Sequence, residues 1–180
     1  MTCIVAICEN GKVYMGGDSA ASAEHYIAYC KNPKVFQNGQ YLIGFTSSFR
    51  MGQLIEFAEL PKPPKKDLYK FMVTEFVTVI REIMSDGGYL RKDCEQEESG
   101  DFLVGIRGQL FLVQSDFAVL EYHQNYAACG SGESVALGSL YSTEDDFPTN
   151  PKNRLLIALT AASLYTTSVS EPFYTYETIS

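Results

Sequence analysis

The sequence predicts an α+β fold, a four-layer αββα sandwich of two antiparallel sheets covered by helix pairs. Three observations carry this expectation. Asn-Gly pairs at positions 10–11 and 38–39 each sit between short β-prone runs, a strong local signal for a hairpin. The spacing of apolar residues then changes to a helical period after Phe49 and again after Glu133. The blocks alternate as four strands, two helices, about four strands, two helices and one strand, which suits two sheets with helix layers.

Taken in order, "CIVAIC" and "KVYMGGD" form the first hairpin across "ENGK". "SAASAEHYIAYCKNP" is polar and mixed, and reads as an extended excursion. "KVFQNGQYLIGFTSS" is a second strand–turn–strand unit turning at Asn-Gly. A helix over Phe49–Glu59 places Met51, Leu54, Ile55 and Ala58 on one face, and "PKPPKK" ends it. Asp67 is a candidate N-cap for a second helix to about Ser85, with Met72, Phe76, Val79, Ile80 and Ile83 as its apolar stripe. "GGYLRKDCEQEESG" is a charged loop. Strands return in "DFLVGIRGQLFLVQSDFAVLEY", with turns at "RGQ" and "QSD", and in "NYAACGSG". "ESVALGSLYST" and the segment from Asn150 are helices, the latter with Pro151 in its first turn and an apolar side of Leu155, Ile157, Leu159 and Ala162. "PFYTYETI" alternates as a closing strand.

With 180 residues, 46% of them hydrophobic and 20% charged, the chain is expected to be a single globular domain spanning 1–180. A net charge of −8 argues against nucleic-acid binding, which draws its affinity from basic patches. No apolar run approaches the roughly 18 residues of a membrane span. The opening lacks a basic region followed by a long apolar run, so no signal peptide is expected. Five scattered cysteines suit free thiols in a reducing cytoplasm. Two histidines, without CxxC or HExxH, leave no zinc pattern, and neither metal nor cofactor is expected.

Thr2 leading into the first strand, "GGDSA" ending the second, "KV" opening the third and "CGSGES" at a strand-to-helix turn together resemble the proteasome β-type peptidases, in particular HslV-like threonine peptidases within the N-terminal-nucleophile hydrolases. The resemblance covers the whole chain in element order. Each motif is short; their joint order and spacing make the pattern specific.

The chemistry can be argued from the residues as well. A hydroxyl needs a base to become a nucleophile at neutral pH. Loss of Met1 gives Thr2 an α-amine, whose pKa of about 7.7–8.0 leaves a useful neutral fraction near pH 7. That amine can accept the hydroxyl proton and return it to a leaving group. The β-methyl restricts χ1 and holds Oγ1 toward a substrate. The structural alternative is a strand Thr behind a retained Met1.

The resemblance implies that Asp18 orients the nucleophile's surroundings and pairs with a lysine; otherwise it is a turn Asp. Lys34, in the "KV" pair, is the lysine placed beside the threonine hydroxyl, and its cation favours a neutral amine. Lys31 competes, though its place before Asn-Pro suggests a loop, and either lysine alone is ordinary for a solvated surface. Lys34→Ala is expected to cost rate with little effect on folding. Ser131 matches the serine near the threonine amine, and it equally suits the N-cap of the following helix. The family has small residues and glycine at the oxyanion segment, as in "GFAGG"; here "GFTSSF" puts Ser47 where glycine is common. A serine supplies the same N–H, although its Cβ narrows the site or demands another backbone angle. The "AD" that follows in the family is replaced by "FRMG", and "TTSVSEP" matches the late acidic loop too loosely to carry a role. Cys3 becomes a nucleophile only after loss of both preceding residues, and Asp145 and Asp146 read as a solvated turn.

These observations point to a threonine-type endopeptidase. The resemblance further implies a homo-oligomeric ring enclosing a chamber, unfolded polypeptide as substrate and an ATP-dependent unfoldase as partner. Two alternatives stay open: a catalytically silent ring or scaffold of the same fold, and an amidohydrolase acting on small amides.

Overall fold

β1 (Cys3–Glu9) and β2 (Lys12–Asp18) form the first hairpin, and its two-residue loop, Asn10 and Gly11, has φ of 52° and 74°. Two successive left-handed residues give the twist that antiparallel strands need. The computed structural model describes residues 2–23, 26–145 and 150–179. The second Asn-Gly works differently. β5 (Val35–Asn38) and β6 (Tyr41–Phe45) pair with Asn38 opposite Tyr41, so the loop is Gly39 and Gln40. Asn38 stays in the strand, and its amide donates to Ile55 O and Ala58 O at 2.8 and 2.9 Å, tying down the end of α1 (Phe49–Glu56).

The expected excursion after β2 is itself a small ladder, β3 (Ala20–Ala23) with β4 (Tyr26–Tyr29). Helix α1 stops at Glu56, short of Glu59. The second helix comprises α2 (Leu68–Phe71), a π-helical turn over Met72–Phe76 and α3 (Val77–Asp86). The π turn rotates the face, so Val77 and Met84 are buried with Met72, Phe76 and Ile80, while Val79 and Ile83 are half-buried. Asp67 stands at the N-cap position in a left-handed conformation, φ 57°, and its side chain makes no capping bond. The charged loop contains a short ladder, β7 (Arg91–Asp93) with β8 (Gln96–Glu98).

β9 (Phe102–Ile106) and β10 (Gln109–Val113) turn at Arg107 and Gly108, again with positive φ at both. β11 (Val119–Glu121), β12 (Tyr126–Gly130), α4 (Glu133–Ser142), α5 (Pro151–Tyr165) and β13 (Phe173–Glu177) follow. Asn150 caps α5 by accepting the Lys152 N–H at 2.9 Å. On α5 the buried set is Leu155, Ala158, Leu159 and Ala162; Ile157 lies off that face and is exposed.

Two larger antiparallel sheets result, in the orders β12-β1-β2-β13 and β11-β10-β9-β6-β5. Strand β1 alternates between two apolar clusters. Cys3, Val5 and Ile7 pack with Ala158, Leu159 and Ala162 of α5, whereas Ile4 and Ala6 pack with Leu42 and Leu103 of the other sheet. The remaining face of that second sheet packs Ile43, Phe102 and Phe111 against Met51, Phe76 and Ile80. A period of two along β1 thus serves two cores at once.

Glycine allows the closest approaches. A Cβ on Gly44 would stand 2.5 Å from Ile4 Cγ2 and 2.7 Å from Met15 Sδ. On Gly52, inside α1, it would collide with the Phe45 ring. Helix propensity favours Gly52→Ala by about 1 kcal/mol, but overpacking costs about 1–3 kcal/mol, so steric conflict decides the sign. Gly52→Ala is therefore expected to destabilise the protein, read as a lower urea midpoint at unchanged m-value.

Candidate active site

The strand pairings bring three distant segments to one point. Cys3 lies opposite Gly130 on β12 and Ile4 opposite Gly17 on β2, so Thr2 stands beside Ser131 on one side and Asp18 on the other. Lys34 immediately precedes β5, whose Val35 pairs with Gly44 across the hairpin. Thr2, Asp18 and Lys34 are 4%, 0% and 2% exposed.

Lys34 Nζ donates to Thr2 Oγ1 at 2.7 Å, to Asp18 Oδ2 at 2.7 Å and to Ala20 O at 2.6 Å. The other carboxylate oxygen, Asp18 Oδ1, accepts the Cys3 N–H at 3.0 Å. Burial pushes the Asp18 carboxyl above its ordinary range, while the Lys34 cation and hydrogen bond and the backbone N–H groups draw it back. Lys34 occupies an acceptor site on Thr2 Oγ1 and leaves the hydroxyl proton to another base. A cation there stabilises developing negative charge on that oxygen.

The Thr2 backbone N–H donates to Ser131 Oγ at 3.2 Å. Ser131 Oγ also lies 3.2 Å from Thr2 O and 2.7 Å from Ser168 Oγ. A hydroxyl has one proton and two acceptor sites, so Ser131 accepts from Thr2 and passes its own proton to one of the other two. Ser168 is buried and lies in the segment after α5. Sequence reasoning missed it: "TTSVSEP" carries no local mark to distinguish it from Ser170. Gly130, at φ 97°, allows this approach, since a Cβ there would press on the Thr2 carbonyl.

Ser47 adopts φ 63°, a left-handed angle that glycine takes freely and that its own Cβ disfavours. Its neighbours hold it there: Thr46 donates twice to Asp101 O, at 3.1 Å from N and 2.7 Å from Oγ1, and Ser48 N donates to Thr46 O at 2.7 Å. Among the described residues no acceptor takes the Ser47 N–H. A cleft of about 110 Å³ lies between Thr2, Lys34, Ala20, Phe45, Ser47 and Phe49. Ser48, rather than opening this cleft further, caps α1 by accepting the Arg50 N–H at 3.1 Å.

Of the five candidate residues, Thr2, Lys34 and Ser47 line the cleft and Ser131 meets the Thr2 N–H, whereas Asp18 reaches the site through Lys34 and the Cys3 N–H. Lys31 is exposed, and Lys34 alone of the two lysines reaches Thr2. Burial, with the Asp18 and Glu133 carboxylates, pushes the Cys3 thiol up to about 12, so it carries no thiolate at neutral pH. Asp145 is exposed, whereas Asp146 and Met1 lie outside the described residues. Among the described residues no three of His, Cys, Asp and Glu stand together as a metal site. The expectation that Lys34→Ala spares folding conflicts with this burial, because removing the cation strands Asp18 in the interior.

No protein-family model and no curated protein matches the sequence. Solved structures do match the fold. BPH of Thiobacillus denitrificans, determined in complex with epoxomicin, superposes with a TM-score of 0.83 at 20% identity, covering 98% of this chain and 97% of that one. HslV of Trypanosoma brucei gives 0.69 at 16% identity, covering 98% of each. A helical assembly of the Anbu complex from Pseudomonas aeruginosa gives 0.65 at 18% identity, over 98% of this chain and 80% of that one. These neighbours are proteasome-like N-terminal-nucleophile hydrolases, and the chain has their fold.

Lys34→Met is expected to cost about 3–5 kcal/mol at neutral pH by leaving Asp18 unpaired. Asp18 then binds its proton more tightly in the native state than in the unfolded chain, so the variant regains stability as pH falls from about 7 to about 5. Urea titrations at both pH values check this; parental stability at neutral pH would make the pair dispensable. Ser47→Gly relieves a left-handed serine and is expected to raise stability by about 0.5–1 kcal/mol, measured the same way.

Proposed function

We propose that the chain is a threonine-type endopeptidase of the N-terminal-nucleophile class, working after removal of Met1. The observation that carries this reading is the 2.7 Å contact of the buried Lys34 ammonium with Thr2 Oγ1, next to a Thr2 N–H bound to Ser131. Loss of Met1 converts that N–H into an α-amine on the nucleophile's own residue. The amine takes the Oγ1 proton, and Oγ1 attacks the scissile carbonyl carbon. The Ser47 N–H receives the oxyanion, a donor of a kind worth about 3 kcal/mol. The ammonium returns its proton to the departing amine, leaving an ester on Thr2, which water hydrolyses. Asp18 fixes Lys34, and Ser131 with Ser168 orients the amine.

The three apolar clusters support a four-layer αββα sandwich forming one domain over 1–180. Similarity in fold to an epoxomicin-bound protein supports a peptidase, and similarity to an Anbu assembly supports a homo-oligomer. A ring enclosing the sites, fed with unfolded polypeptide by an ATP-dependent unfoldase in the cytoplasm, fits this reading. The absence of a helix long and apolar enough to cross a membrane, among the described residues, is consistent with it.

Intact mass of untagged protein is expected to show loss of one methionine, and epoxomicin to label Thr2 covalently. Thr2→Ala should abolish both labelling and peptide hydrolysis while the assembly measured by sedimentation is unchanged. Retained hydrolysis removes Thr2 from the mechanism. Retained Met1 with no labelling favours the silent scaffold, and a monomer cleaving only small amides favours the amidohydrolase.

A further inference from the structure

The connection between α1 and α2 is basic on an otherwise acidic molecule. Lys62, Lys65, Lys66 and Lys70 fall within residues 62–70, accompanied by one acid, Asp67, while the whole chain carries −8. All four lysines are exposed, and among the described residues none of their ammonium groups makes an ion pair or hydrogen bond. Lys65 and Lys66 are adjacent like charges just before α2. Folding gains nothing from this grouping.

The backbone that carries it is nonetheless held firmly. Pro61, Pro63 and Pro64 restrict φ. Tyr41 OH donates to Pro61 O at 2.6 Å, and the Arg107 guanidinium donates to the carbonyls of Pro63 and Pro64. Beside the lysines a depression of about 190 Å³ is lined by Tyr41, Leu60, Pro61 and Pro63. Phe57, the C-cap of α1, and Tyr69 on α2 are 80% and 50% exposed. Lys62 lines this depression together with Asn38 and Gln40, and the backbone beneath it is already held, so binding there need not order the main chain.

We propose that residues 57–70 dock an acidic protein segment, its carboxylates on Lys62, Lys65 and Lys66 and one apolar side chain in the hollow. Charge complementarity selects the chemistry, and the remainder of the surface selects the size. A long polyanion such as nucleic acid or an anionic membrane would extend beyond the strip onto the acidic remainder of the molecule and be repelled. A short peptide segment stays within the strip. This surface is separate from the Thr2 site, so the proposal stands without the peptidase reading.

The test is fluorescence anisotropy of a labelled ten-residue Asp/Glu peptide with one central Leu, against full-length protein at low ionic strength. Binding is expected to weaken with added salt and to fall about tenfold in the triple variant Lys62→Glu, Lys65→Glu, Lys66→Glu, on the scale of three lost exposed ion pairs. Replacing the Leu by Ser should weaken it further. Circular dichroism of the variant, whose changes are all on the surface, confirms an intact fold. Three outcomes overturn the proposal: no binding of the peptide, equal binding by the variant, or tighter lysine-dependent binding of oligothymidine or phosphatidylserine vesicles than of the peptide.

Discussion

The buried ion pair between Lys34 and Asp18 is the constraint around which the rest is arranged. Taking two charges out of water costs several kcal/mol per ion, recovered only when geometry and additional hydrogen bonds are good. Here the ammonium donates to Thr2, Asp18 and Ala20, and the carboxylate receives the Cys3 N–H as well. These groups come from the start of β1, the end of β2, the start of β3 and the residue before β5. Loss of the Lys34 cation leaves the Asp18 carboxylate buried without its counter-charge, so sheet register and site geometry are secured by the same interaction.

That arrangement depends on close approach of the two sheets. Gly17 and Gly44 each face Ile4, which fills the space that a Cβ would need. The floor of the site is thus tight packing between strands, and a site on strand ends holds its geometry better than one on free loops. The segment Thr46–Ser48 departs from this arrangement. Ser47 keeps a left-handed backbone that glycine would adopt more cheaply, held by the bonds of Thr46 and Ser48 to either side. Backbone strain persists only where the surrounding structure over-determines it, and such residues cluster at active sites and ligand clamps.

Charge is used differently elsewhere. Glu177 on β13 meets Lys12 and Lys152 at 3.4 and 2.9 Å, and Glu97 meets Arg81, all with substantial exposure. Such pairs are individually worth about 0–1 kcal/mol and are screened by salt. Among the described residues the lysines of 62–70 have no such partners. Interior charge orders the site, exposed pairs trim the surface, and the unpaired basic strip faces outward.

Much was legible in the sequence because it is local. Asn10-Gly11 announces a hairpin through its own backbone preferences, and Leu155, Leu159 and Ala162 of α5 were legible as buried, although Ile157, read with them, is exposed. The identities of Thr2, Asp18 and Ser131 as candidates were readable from short patterns, whereas the left-handed angle of Ser47 was not. What the tertiary structure decided is which of these groups meet. Lys31 and Lys34 are chemically identical in the sequence; only the β5–β6 pairing buries one against Thr2 and leaves the other in water. Asn38 looks like a turn residue until it is seen holding the end of α1. Ser168 has no local signal, and becomes part of the site only through a hydrogen bond to a serine 37 positions away. Local preference is written residue by residue, whereas burial and long-range contact are properties of the packed chain, and it is these that turn a surface lysine into an interior cation.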